Sequence, residues 1–174
     1  MSSPGTAPTA NSEATATTGT ERQILAGFLD QYREIIKRKV HGLTENQARA
    51  RLVGSLTTLA GLLKHLAVAE RSWFQRTLAG LTPEQIGANA SGRSAESWQV
   101  ADEETIADLI VEYDRACARS REIAADYELD HIVPHHRLGQ VSLRWIYVHM
   151  IEETSRHAGH ADILREQTDG STST

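Results

Sequence analysis

The sequence predicts an all-α protein built as a four-helix bundle. Four long stretches place apolar residues at the i, i+3, i+4 and i+7 spacing of amphipathic helices, no stretch makes a serious strand signal, and glycine-containing polar connections separate the four. The 174 residues suit one domain with a sizeable core, and 40% hydrophobic with 24% charged residues is the balance of a globular chain.

Residues 1–19 contain neither an apolar run nor a basic segment, so they are neither a signal peptide nor a membrane anchor. Their Ser, Thr, Ala, Pro and Gly content cannot bury enough surface to offset chain entropy, and a disordered tail is expected there and over residues 169–174. The bundle is assigned to residues 20–168.

Thr20 followed by Gln23 forms a capping-box signal for a first helix over Glu21–Val40, with Ile24, Phe28, Tyr32, Ile35 and Ile36 facing inward, ended before Gly42. Residues 44–51 have room for one or two helical turns. Ser55 or Thr57 then caps a second helix, whose apolar face holds Leu59, Leu62, Leu63, Leu66, Ala69, Trp73 and Phe74, and which Gly80 stops. His65 interrupts that face. From Thr82 to Asp102 the pattern is lost except for a short helix at Pro83–Ile86, and Trp98 is expected to dock onto the body of the domain. Asp102 or Thr105 opens a third helix that buries Ile106, Leu109, Ile110, Tyr113, Cys117 and Ile123. Residues 127–141 hold His131, Pro134, His135, His136 and Gly139 without periodicity. Ser142 caps the fourth helix, which Gly170 closes.

Several classes of function are disfavoured at once. A formal charge of −5 with no local basic face argues against a nucleic-acid partner. No 18-residue apolar window exists to span a membrane. The single cysteine, Cys117, allows no intrachain disulfide, which suits a reducing cytoplasm and leaves nitrogen and oxygen donors for any metal. On the apolar side of its helix and without an adjacent base, Cys117 reads as an inert hydrophobe.

The fourth helix carries His149, Glu153, His157 and His160. Residues four apart drift only about 40° around a helix and those seven apart about 20°, so the four groups share one stripe. An ordinary core stripe would be aliphatic, because burying an unpaired ionisable group costs several kcal/mol. Either the stripe faces water or something satisfies it. His65 joined to Glu153 and His157 across the bundle would supply three ligands to a divalent ion and leave a position open, as catalytic zinc sites do. Nickel, manganese and iron accept the same donors. Each part also has a plainer reading, His65 as a hydrogen-bonded core histidine and the Glu153 and His157 pair as a solvated face. The histidines at 131, 135 and 136 read as a loose metal-binding tract or simply a polar turn.

The segments LLKHLAVAERSWF around His65 and RWIYVHMIEETSRHAGHADILRE around Glu153 and His157 resemble the DinB-like (YfiT-like) superfamily of metal-dependent helical bundles, most closely its mini-circle protein branch, over about residues 21–168. The resemblance implies an up-down-down-up bundle with metal ligands His65, Glu153 and His157. Many relatives have His in place of Glu153, whereas the thiol-dependent maleylpyruvate isomerases resemble this chain in pairing Glu with His. It further implies a cytoplasmic enzyme whose divalent ion activates a low-molecular-weight thiol, of the mycothiol or bacillithiol type, for S-transfer or isomerisation of a small-molecule substrate. His149 and His160 are expected beside the ligands as orienting hydrogen-bond partners or alternate ligands, or as a helix-end contact and a partly exposed residue. Arg156 and Arg144 are candidates to attract an anionic substrate, and Trp73 and Trp145 to line the pocket. Two other readings stay open: a metal-water hydrolase, for which Glu152 points about 100° away from Glu153, and a non-catalytic metal-binding or structural bundle that forms a homodimer.

Overall fold

A computed structural model describes residues 17–87 and 95–172. Residues 1–16 of the expected N-terminal tail, residues 173–174 of the C-terminal one and residues 88–94 of the excursion lie outside the described residues. The described chain is mostly helical. Helix α1 spans Glu21–Val40 and opens on the capping box of Thr20 and Gln23. Thr44 and Gln47 repeat that device for α2, Glu45–Arg49. Helix α3, Leu59–Glu70, is capped by Thr58 instead of Ser55 or Thr57, with the Thr58 hydroxyl accepting from the Gly61 amide. It runs on without a break into a π-helix, Arg71–Leu78. Helix α4 is Pro83–Ile86, followed by a 3-10 turn at Ala95–Trp98. Helix α5, Ile106–Ala125, is capped by Thr105, and α6, Leu143–Asp169, runs from the Ser142 cap to Gly170, whose φ of 75° suits glycine.

One connection departs from expectation. Residues 127–141 contain a β-hairpin, in which β1 (Ile132–His135) pairs antiparallel with β2 (Gly139–Ser142) and Val133 lies opposite Val141. Both valines are buried, while Ile132 is 58% exposed. One inward residue per strand is too short an alternation to read as a strand in sequence. The hairpin is held by docking its two valines against the helices, and it carries His135 and His136 with it.

The packing of α1 also differs. Its buried face is Leu29, Arg33, Ile36 and Val40, and Phe28, read as inward, is 44% exposed. Arg33 turns the helix. Its guanidinium donates to both carboxylate oxygens of Glu70 at 2.8 and 2.6 Å, and the two residues are 3% and 0% exposed. A bidentate charge pair satisfies both groups in a low-dielectric interior that would otherwise expel them.

Polar contacts fix which helix ends meet. Arg144 at the start of α6 donates to Glu21 at the start of α1, at 2.6 Å. Arg165 near the end of α6 donates to the carbonyls of Lys39 and His41 at the end of α1, at 3.0 and 2.9 Å. Arg22 at the start of α1 donates to the carbonyl of Ala124 at the end of α5, at 2.9 Å. The π-helix is joined to α5 by Arg71 with Glu112 at 2.8 Å, and Lys64 of α3 meets Glu104 just before α5 at 2.6 Å. Among the described residues no helix is long and apolar enough to cross a membrane.

Two outcomes are expected. Glu70→Ala leaves the buried Arg33 guanidinium with Asp30 as its remaining carboxylate partner and lowers unfolding stability by about 3 kcal/mol in urea titration; a loss within experimental error would place the pair in water. Cys117 is buried and its thiol is pushed far above the ordinary range, by burial first and then by the nearby Glu70 charge. A chromogenic disulfide reagent is therefore expected to find no reactive thiol in the folded protein and one after denaturation.

Candidate metal centre

The site lies where α3 faces the middle of α6. Helix α3 is buried almost all round between Leu59 and Glu70, so His65 is 6% exposed and must be satisfied by its neighbours. Its Nε2 lies 3.0 Å from Glu153 Oε1. The Nε2 of His157, one helical turn beyond Glu153, lies 3.1 Å from the same oxygen. One carboxylate oxygen is thus shared by imidazoles from two helices. The other oxygen, Oε2, accepts from the Arg156 guanidinium.

Burial disfavours ionisation of Glu153, but the hydrogen bonds from His157 and His65, with the His157 and Arg156 charges, outweigh it. They hold the carboxyl well below the usual carboxylate range. Donor atoms of His65, Glu153 and His157 lie within 4.8 Å of one another, and this is the cluster among the described residues that could hold a metal ion. The donor set fits a divalent first-row ion, two borderline nitrogens and one anionic oxygen.

The outer nitrogens are engaged as well. His65 Nδ1 lies 3.2 Å from the Ser97 hydroxyl, and Trp98 stacks on the His65 ring with centroids 4.1 Å apart and planes at 14°. Both partners come from the 3-10 turn. The Ser97 hydroxyl, through its hydrogen bond with Nδ1, holds the ring so that Nε2 faces Glu153. The turn reaches α3 because position 61 is glycine: a Cβ there would meet the Trp98 carbonyl oxygen at 2.8 Å. His157 Nδ1 lies 3.4 Å from His160 Nδ1. Burial, then the His157 and Arg156 charges, hold the His160 imidazole below its ordinary value.

These groups form the floor of a cleft of about 820 Å³. The π-helix shapes one wall. Its wider turn, seen where the Ala79 amide donates to the Phe74 carbonyl five residues back, presents Ser72, Trp73 and Arg76 to the cleft. The hairpin contributes His135 and His136. Trp73 packs between His135, stacked at 5.1 Å and 8°, and His149, edge-on at 4.6 Å.

The residues read from sequence therefore divide. His65, Glu153 and His157 are brought together, and His149, Arg156, His160 and Trp73 line the same cleft. Trp145 is not among the lining residues but stacks behind His149 at 5.0 Å and 15°. Arg144 is committed to Glu21 and Asp130. Glu152 faces His149 and Arg156 at 3.5 and 3.7 Å. Sequence reasoning missed Ser97, Ser72, Arg76 and the cleft position of the hairpin histidines. None had a periodic signal, since a 3-10 turn, a π-helix and a hairpin deliver them.

Comparison with protein families places the chain in the DinB-like superfamily. Within that class, the family model described as MST, mycothiol-S-transferase, matches residues 24–170, and the chain belongs to this family. A search of curated proteins finds no match.

Ser97→Ala removes the hydroxyl that holds the His65 ring and is expected to weaken zinc binding about 10–100-fold in competition with a chromophoric chelator. Gly61→Ala, which pushes the turn off α3, is expected to act in the same direction. Unchanged affinity in both would show that the turn does not position His65.

Proposed function

We propose that this protein is a divalent-metal-dependent enzyme that transfers the sulfur of a mycothiol-type thiol to a small electrophile. The observation that carries the reading is the meeting of His65, Glu153 and His157 on the floor of a large open cleft, in a chain of the mycothiol-S-transferase family. The arrangement behind it is an up-down-down-up four-helix bundle formed by α1, α3 with its π-helix, α5 and α6. Contacts between the starts of α1 and α6, between their ends, and between the start of α1 and the end of α5 support that topology.

His65, Glu153 and His157 hold the ion, with zinc first among the candidates. When bound, it lowers the pKa of a coordinating thiol so that thiolate is available at neutral pH. The chain's own residues do the rest. Glu153 supplies the anionic donor and is kept ionised by its neighbours. Ser97 and His160 engage the outer nitrogens of His65 and His157. Trp73, His135 and His149 make an aromatic wall of the cleft. In the transfer the thiol gives up its S–H proton, the sulfur bonds to an electrophilic carbon, and the displaced group leaves with the electron pair of the broken bond. No cysteine of the protein takes part, which accords with the burial of Cys117.

Protein purified without chelator is expected to contain about one divalent ion per chain, and His65→Ala to lose both the ion and mycothiol-dependent conjugation of a chloronitroaromatic. Metal analysis and a coupled absorbance assay check both. Equal ester or amide hydrolysis with and without thiol would instead favour the hydrolytic reading, and absence of the ion would favour a structural bundle.

A further inference from the structure

The charge of the cleft is opposite to that of the protein. The chain carries a formal −5, yet the cleft is lined by two arginines, six histidines and a single acid, Glu153. That acid is spoken for by His65, His157 and Arg156. A divalent ion would add further positive charge.

The lining groups are ordered along α3 and its π-helix. His65 lies at the ligand end, Ala69 and Ser72 form a small-residue floor, Trp73 stands next, and Arg76 follows. The facing helix runs in the matching sense, since His65 meets Glu153 and His157 while Trp73 meets His149. Arg76 therefore lies beyond Trp73 as seen from His65, Glu153 and His157. It is exposed, and its guanidinium makes no ion pair or hydrogen bond among the described residues. With His135 and His136 it also borders a second cleft of about 400 Å³ between the end of the π-helix and the hairpin. An unpaired guanidinium at the junction of two clefts, beside an aromatic wall and without a carboxylate of its own, is a receptor for an anionic group on a molecule bound in the cleft.

We infer that the sulfur acceptor is a small electrophile bearing a carboxylate, its reacting part lying in the cleft between Trp73 and the His65, Glu153 and His157 cluster and its carboxylate received by Arg76. Its chemistry rests on the transferase reading above, but its binding site does not. The fork of the guanidinium matches a carboxylate in two parallel hydrogen bonds, so Lys in its place would keep the charge and lose the geometry.

The test compares benzoate with benzamide, which share shape and differ in charge, binding to the full-length zinc-loaded protein by calorimetry. Wild type is expected to prefer benzoate by about tenfold or more, the size of one charge-assisted hydrogen bond. Arg76→Gln should bring the ratio near one, and Arg76→Lys should leave it between the two. Equal affinities in wild type, or a preference that survives Arg76→Gln because the carboxylate binds the ion or another cation, would overturn the inference. A parallel assay of mycothiol transfer to 4-chloro-3-nitrobenzoate and its amide separates the two claims. Arg76-dependent binding without transfer sinks the transferase reading alone, whereas transfer without an Arg76-dependent preference sinks the acceptor assignment alone.

Discussion

Glu153 is the constraint on which the rest of the structure turns. A carboxylate enclosed between helices loses most of its hydration, and keeping it ionised requires donors on every side that water has left. Here two imidazoles from different helices share one oxygen and an arginine takes the other. That demand fixes the depth and rotation of α3 against α6. It leaves the donor atoms of His65, Glu153 and His157 close enough to serve one cation.

Satisfying the imidazoles then recruits parts of the chain with no other evident role. The 3-10 turn lies across α3 so that Ser97 and Trp98 meet His65, an approach that requires Gly61. The π-helix changes the direction in which Ser72, Trp73 and Arg76 leave the backbone and so opens the cleft beside the ligands. The Arg33 and Glu70 pair sits at the junction of α3 and the π-helix and ties that joint to α1. Core charge and site charge are thus solved separately, by a guanidinium fork in one place and imidazoles in the other.

Much of the helical layout was legible in the sequence because helix starts are written locally. Thr20 with Gln23, Thr105 and Ser142 announce their caps by the hydroxyl they offer to a free backbone amide. The Glu153 and His157 pair on α6 was legible for the same reason, since four residues are one turn wherever the helix goes. Other features depend on tertiary partners. Arg33 could not be read as buried without Glu70, nor Phe28 as exposed. Val133 and Val141 become strand residues only when the hairpin docks, and that docking carries His135 and His136 to the cleft. His65 stood out as a lone imidazole among aliphatics, and the resemblance named its partners. Its engagement by Ser97 belongs to a turn that no periodicity marks.

Anomalous diffraction at the zinc edge from crystals of the zinc-loaded protein tests the central claim most directly. The account predicts one strong peak per chain, within about 2.0–2.2 Å of the Nε2 atoms of His65 and His157 and a carboxylate oxygen of Glu153. A peak on the hairpin histidines instead, or no peak beside an unchanged Glu153 held by its two imidazoles, would contradict it.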